Sequence, residues 1–145
     1  MQGLRTTGLV LALILASCAG DGPGGTGPGS EYATIQAEIF NTSCISASCH
    51  SSGTRAGNLS LEEGESYAEL VGVDPTNPAA AARGLLRVTP NEVATSFLAA
   101  KLDGMLKTGE GALMPIRAPP LSPDEIMMIE IWIENGAEPD AASDG

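Results

Sequence analysis

Three side chains near the middle of this sequence are of types that make bonds beyond packing. They are Cys44, Cys49 and His50, in the stretch Cys44-Ile45-Ser46-Ala47-Ser48-Cys49-His50. His50 is the only histidine of the chain, and it directly follows a cysteine. Two thiols and one imidazole in this order suit covalent attachment of a haem. Each thiol adds across one vinyl group of the porphyrin, and a histidine just after the second thiol is carried beneath the ring, where an imidazole nitrogen ligates iron. The adjacency of Cys49 and His50 follows from that geometry, whereas the four residues between the thiols depart from the usual Cys-x-x-Cys-His spacing. A local disulfide is the competing chemistry: in an oxidising compartment Cys44 and Cys49 would close a small loop and leave His50 as a surface residue. Zinc is served poorly by three ligands without a second Cys/His pair.

A second axial ligand decides between these readings. The segment Lys107 to Pro120 is rich in Pro and Gly and carries one apolar island, Leu113-Met114-Pro115-Ile116. A loop methionine is ordinarily a hydrophobic plug, but neighbouring prolines and a well-capped helix after the loop are what would hold a weak thioether ligand in place. Met105, following Gly104 near a helix end, is the alternative, and Met127 and Met128 lie inside a helix and read as core.

Gly111-Ala112-Leu113-Met114-Pro115, then Pro120-Leu121-Ser122, Glu125-Ile126, and Ile131-Trp132-Ile133 closing at Gly136-Ala137, resembles the C-terminal third of a class I cytochrome c. The resemblance runs from about Tyr32 to Ala137, strong at both ends and weak in the middle, where Ser51 to Lys107 is longer than in the smallest members. Longer spacers between the two thiols also occur in c-type cytochromes. In that family a Met in a Pro-rich loop before the last helix binds the iron face opposite the His, which implies that role for Met114. The resemblance further implies that the first and last helices cross, with Phe40 near Trp132.

The elements that must position these groups follow from periodicity and capping. Tyr32, Ile35 and Ile39 predict a helix over Glu31 to Thr42, with Ala33, Ala37 and Phe40 widening its apolar stripe and Cys44 and Cys49 delivered at its end. A Ser/Gly/Asn-rich loop from Ser51 to Asn58 precedes a short helix around Glu63 to Val71, and Val73 to Arg83 reads as a Pro- and Ala-rich connection. Thr89-Pro90-Asn91-Glu92 has the form of a capping box and predicts a helix to about Leu102 that buries Val93, Phe97 and Leu98. Ser122-Pro123-Asp124-Glu125 has the same form and opens a last helix ending at Asn135-Gly136, so apolar around its circumference that burial at the domain centre is expected.

The N-terminal residues read as an export signal, with Arg5 as its charge and Leu9 to Ala16 as an apolar segment too short to span a bilayer. Leu15-Ala16-Ser17-Cys18 resembles the lipobox of bacterial lipoproteins, which implies cleavage before Cys18 and lipidation of that residue; an ordinary signal peptide is the competing reading. Ala19 carries no acidic retention signal, which favours the outer membrane slightly. Residues 18–30 are the lipidated Cys and a Gly/Pro-rich tether with a reach of roughly 17–21 Å, residues 31–138 the haem-binding domain, and residues 139–145 a disordered acidic tail.

Composition agrees. The 18 Asp+Glu against 7 Lys+Arg give a net charge of −11, which excludes a phosphate-backbone partner and favours a basic one. With 43% hydrophobic residues but only two Phe, two Tyr and one Trp, the chain alone underfills a core, and a haem would supply the missing buried area. The expectation is an all-α, small cytochrome c-like fold of several short helices wrapped around one covalent haem c. It would be lipid-anchored on the periplasmic side of the cell envelope and carry single electrons to a redox partner protein rather than act as an enzyme. Arg87 and Arg117 are candidate partners of the haem propionates, a solvated Arg being the default reading of each. The alternative is a haem-free lipoprotein adaptor with a Cys44–Cys49 disulfide.

Overall fold

The N-terminal helix of the domain starts as α1 (Ser30–Thr34) and continues without a break as a π-helical segment (Ile35–Cys44). In this wider turn the N–H bonds five residues back, and Ile45 N–H donates to the Phe40 carbonyl at 3.2 Å. Tyr32, Ile35, Ile39 and Phe40 are buried, but Ala33 and Ala37 are exposed, so the stripe widens differently from the sequence expectation. Gln36 takes the inner position instead. It can do so because its amide donates to Leu61 O (2.9 Å) and Asn41 Oδ1 (2.8 Å) and accepts from Ser66 Oγ (2.5 Å), and a buried polar group costs little once bonded.

The computed structural model describes residues 30–139. The export signal, Cys18, nearly all of the tether and the tail from Asp140 lie outside the described residues. Among those described, the regular elements are short helices and no strand is present, an all-α fold. No helix among them is long and apolar enough to cross a membrane.

The predicted helix around Glu63 to Val71 is α2 (Ser66–Leu70). The expected connection from Val73 to Arg83 instead contains α3 (Pro78–Ala82). Asn77 accepts from Ala80 N–H at 2.9 Å as its N-cap, Pro78 opens it, and four alanines supply the best helix former. Thr89-Pro90-Asn91-Glu92 is not a helix start. It is a turn with Asn91 at φ +66°, followed by a 3₁₀ turn (Val93–Thr95), and α4 spans Phe97–Asp103. Buried Ser96 competes successfully for the local bonds: its hydroxyl accepts from Thr89 N–H (2.8 Å) and donates to Glu92 O (2.9 Å), which closes the turn. Phe97 is buried as expected, while Val93 and Leu98 are partly buried.

The final helix, α5 (Pro123–Glu134), has the predicted capping box, with Glu125 N–H on Ser122 Oγ (3.2 Å) and Ser122 N–H on Glu125 Oε2 (2.7 Å). Ile129, Trp132 and Ile133 face the core, but Met127 and Ile131 are 52% and 41% exposed, so this helix covers the core from one side rather than lying at its centre. It packs on both parts of the N-terminal helix and on α4. Trp132 and Phe40 share the core, but the ring stacked on Trp132 is Tyr32, at 5.0 Å between centroids, with Tyr67 edge-on to Tyr32 at 5.3 Å. Phe40 lies beyond Tyr32 and reaches the cavity described below. The segment 85–88 runs between α2 and α4, held by Val88 N–H on Leu70 O (3.1 Å), Arg87 N–H on Val73 O (2.7 Å) and Leu98 N–H on Arg87 O (2.9 Å).

Candidate functional site

The π-helical segment ends at Cys44, and the chain then folds back on itself, with Cys49 N–H donating to Ser46 O (2.9 Å) and His50 N–H to Cys44 O (3.1 Å). Closing the turn at residues 44 and 50 leaves Ser46, Ala47 and Ser48 exposed, with Ser48 also bordering the cavity described below. The long spacer is therefore accommodated as an exposed turn, while Cys44, Cys49 and His50 stay partly buried. Both cysteines are free thiols. Burial pushes the Cys44 thiol up to about 12, with the neighbouring Cys49 and Glu125 adding to the rise. Ser46 Oγ donates to Cys49 Sγ at 2.9 Å.

His50 is fixed by its backbone: Leu61 N–H donates to His50 O at 2.8 Å, and Ala56 N–H to the preceding Cys49 O at 3.0 Å. Its Nδ1 faces Leu59 O at 3.4 Å. In the tautomer that donates from Nδ1, the lone pair is on Nε2, the usual arrangement of a metal-ligating histidine. Burial lowers the His50 pKa from 6.5, opposed by the backbone contacts to Leu59 and Ala56 and assisted by the Arg87 and Lys101 charges. The imidazole is thus neutral near pH 7, the form that can ligate.

Met114 comes to the same place from the far end of the chain, its N–H donating to Lys101 O at 2.8 Å on α4. Cys44, Cys49, His50, Met114, Arg87 and Arg117 all line one cavity of about 640 Å³. That volume is within the range of roughly 300–1,000 Å³ typical of cofactor pockets. Its other walls are largely apolar, including Phe40, Leu61, Leu70, Leu98, Leu121 and Ile129. Met105 does not line it; the side chain is 64% exposed after α4.

Arg87 differs from the default of a solvated arginine. It is 7% exposed, and among the described residues its guanidinium donates to main-chain carbonyls alone, Glu69 O (2.8 Å), Asn58 O (3.0 Å) and Gly57 O (3.3 Å). Burial draws its pKa down, partly offset by the Glu69 carboxylate, which is itself paired with Arg55. Among the described residues no ion pair engages Arg87. A buried cation on a cavity wall is an electrostatic seat for an anionic group of a ligand. Arg117, by contrast, is exposed at φ +61°.

Comparison of the chain with family models, with curated proteins and with solved structures finds no match. The chemistry of the donor set therefore carries the interpretation. Two thiols, one neutral imidazole, one thioether and one buried guanidinium surround a single mostly apolar cavity, and these groups fit a haem. Among the described residues no group of three or more His, Cys, Asp and Glu side chains could hold a bare metal ion.

Sequence reasoning missed Lys101, Glu110 and the seat of Arg87. The signal for Arg87 was present, since Leu85-Leu86-Arg87-Val88 places one charge inside an apolar run. Lys101 falls on a helix face that also carries Leu98 and Leu102, a pattern equally compatible with a solvated lysine.

Proposed function

We propose that this protein is a c-type cytochrome domain with a small cytochrome c-like fold, tethered to the periplasmic side of a bacterial envelope through lipidated Cys18. The observation that carries the reading is the convergence of Cys44, Cys49, His50 and Met114 on one cavity, from positions up to 70 residues apart in sequence. In this reading Cys44 and Cys49 would hold the haem as thioethers, and His50 and Met114 would ligate its iron. The haem supplies a one-electron Fe(III)/Fe(II) couple, and thioether ligation favours the reduced state relative to a second histidine.

The chain's own residues would perform the supporting work. Neutral His50, oriented by Leu59 O, presents a lone pair without first losing a proton. Leu61, Leu70, Leu98 and Leu121 give the cavity an apolar wall that would exclude water from a bound haem and so disfavour its more highly charged oxidised state. Arg87, buried on the cavity wall, would offer its positive charge to an anionic group of the ligand such as a haem propionate. With both axial positions assigned, the reading is an electron carrier rather than an enzyme. The acidic surface suits a basic redox partner, and association should weaken as salt rises.

The test is to export the full chain from hosts with and without c-type haem maturation and denature the product. Haem absorbance that stays with the polypeptide only in the competent host supports the reading. A colourless chain whose Cys44 and Cys49 resist alkylation until reduced would replace it with the disulfide-closed adaptor.

A further inference from the structure

Glu110 is a wholly buried carboxylate, 0% exposed, four residues before Met114. Its Oε2 accepts from Lys107 N–H at 2.6 Å, and its Oε1 is paired with the Arg83 guanidinium just after α3. The segment it sits in is also held by its main chain. Asn77, the N-cap of α3, donates to Gly109 O at 3.0 Å, and Lys101 Nζ on α4 donates to Glu110 O (2.7 Å) and Ala112 O (3.1 Å). Contacts are close along this stretch. A Cβ at Gly109 would come within 3.1 Å of Ala79 Cβ, and one at Gly111 within 3.0 Å of Lys101 Nζ, and both glycines have positive φ. The last link is Met114 N–H on Lys101 O.

We propose that Glu110 is the positioning residue of Met114: with Arg83 and Lys101 it locks segment 107–114 onto α3 and α4, so that the thioether is held at the cavity. This rests on the reading of Met114 as the distal ligand. A thioether is a weak, uncharged donor on a flexible side chain, so its occupancy of an axial position depends on how little freedom its backbone has. The large apolar neighbours of Met114 in the loop, Leu113 at 42% exposure and Ile116 at 49%, are themselves poorly buried and supply no comparable hold. A buried carboxylate is costly unless paired and bonded, and here its two oxygens are used on two separate parts of the chain, one of them the loop itself.

The experiment uses the full chain exported from a maturation-competent host, comparing wild type with Glu110→Gln, Lys101→Met and Lys101→Arg. Covalent haem content, the weak far-red Met-to-iron band of the ferric form, and hydrogen exchange of the Met114 amide are read on each. Glu110→Gln and Lys101→Met should keep haem content and Trp132 fluorescence, lose most of the far-red band, and exchange the Met114 amide at least about tenfold faster. Lys101→Arg, which can still donate to Glu110 O and Ala112 O, should restore both signals. Band and amide protection unchanged in the first two variants would overturn the proposal, as would their loss only together with the native Trp132 signal. If the wild-type chain carries no covalent haem, the cytochrome reading fails separately, and Met114 amide exchange in the haem-free chain still decides whether Glu110 locks the loop.

Discussion

Replacing Arg87 by Met separates a structural arginine from one that also faces an anionic ligand. The substitution keeps an unbranched apolar stem of similar reach and removes every donor. Without haem, two well-formed bonds and one long one disappear, to Glu69 O (2.8 Å), Asn58 O (3.0 Å) and Gly57 O (3.3 Å). A bond from an ionised donor contributes about 1.5–3 kcal/mol. Relief of the guanidinium's desolvation, several kcal/mol for a group this buried, offsets much of that. The net loss in the haem-free domain should be a fraction of the gross bond energy, on the order of 1–3 kcal/mol. With haem attached, a propionate would lose its counter-charge as well, and close charge pairs couple by about 1.5–7 kcal/mol. At the low end of that range, the extra loss is about 1.5–3 kcal/mol beyond the haem-free loss. Urea unfolding of haem-free and haem-containing wild type and Arg87→Met measures the difference, and at slopes of about 1–3 kcal/mol/M the extra loss is a midpoint shift near 1 M. Equal losses in the two forms would show that Arg87 only staples Gly57, Asn58 and Glu69 together, and the charge argument would be refuted.

Met114→Ala should abolish the far-red band of the ferric protein, whereas Met105→Ala, at a side chain 64% exposed and outside the cavity, should leave it intact; the reverse pattern would reassign the distal ligand. In the haem-free native protein, Cys44 should alkylate at least about tenfold more slowly than in the denatured chain, because burial raises its thiol to about 12 and the thiolate is the reacting form, its greater intrinsic nucleophilicity offsetting only part of the loss; equal rates by mass spectrometry would contradict its burial. His50 has a folded pKa below its usual 6.5, so protons favour the unfolded chain. Its contribution to haem-free stability is therefore complete above pH 6.5 and is lost as pH falls through the folded value, and His50→Gln should flatten that part of the stability profile in denaturant titrations.

How far the sequence carried the argument depended on whether a feature was local. The Ser122–Glu125 capping box and the helix behind it are specified by four neighbouring residues and occur as expected. Thr89–Glu92 has the same pattern, yet Ser96 seven residues on takes its hydrogen bonds, a competition that spacing alone does not reveal. α3 was legible in Asn77-Pro78 followed by alanines, but the surrounding Pro and Gly residues masked it as a connection. At the site, the thiols and imidazole are local and easily read. The hold on Met114 is not, because Arg83, Lys101 and Glu110 come from three separate segments and each would look solvated by itself. Arg87 is legible as a candidate anion partner with solvation as the default, but its burial is not, because periodicity marks which face is inner without showing that a charged side chain there finds three carbonyls. The shortage of aromatics was the most informative non-local signal. Tyr32, Tyr67 and Trp132 form one cluster away from the cavity, so that only the two phenylalanines, Phe40 and Phe97, join the aliphatic residues on its wall.

The absorption spectrum of the exported protein after denaturing extraction tests the central claim most directly. The account predicts a haem chromophore that remains bound to the polypeptide, is lost when Cys44 and Cys49 are both replaced by Ala, and appears only in a host that matures c-type haem. A polypeptide left colourless by extraction from that host would contradict it.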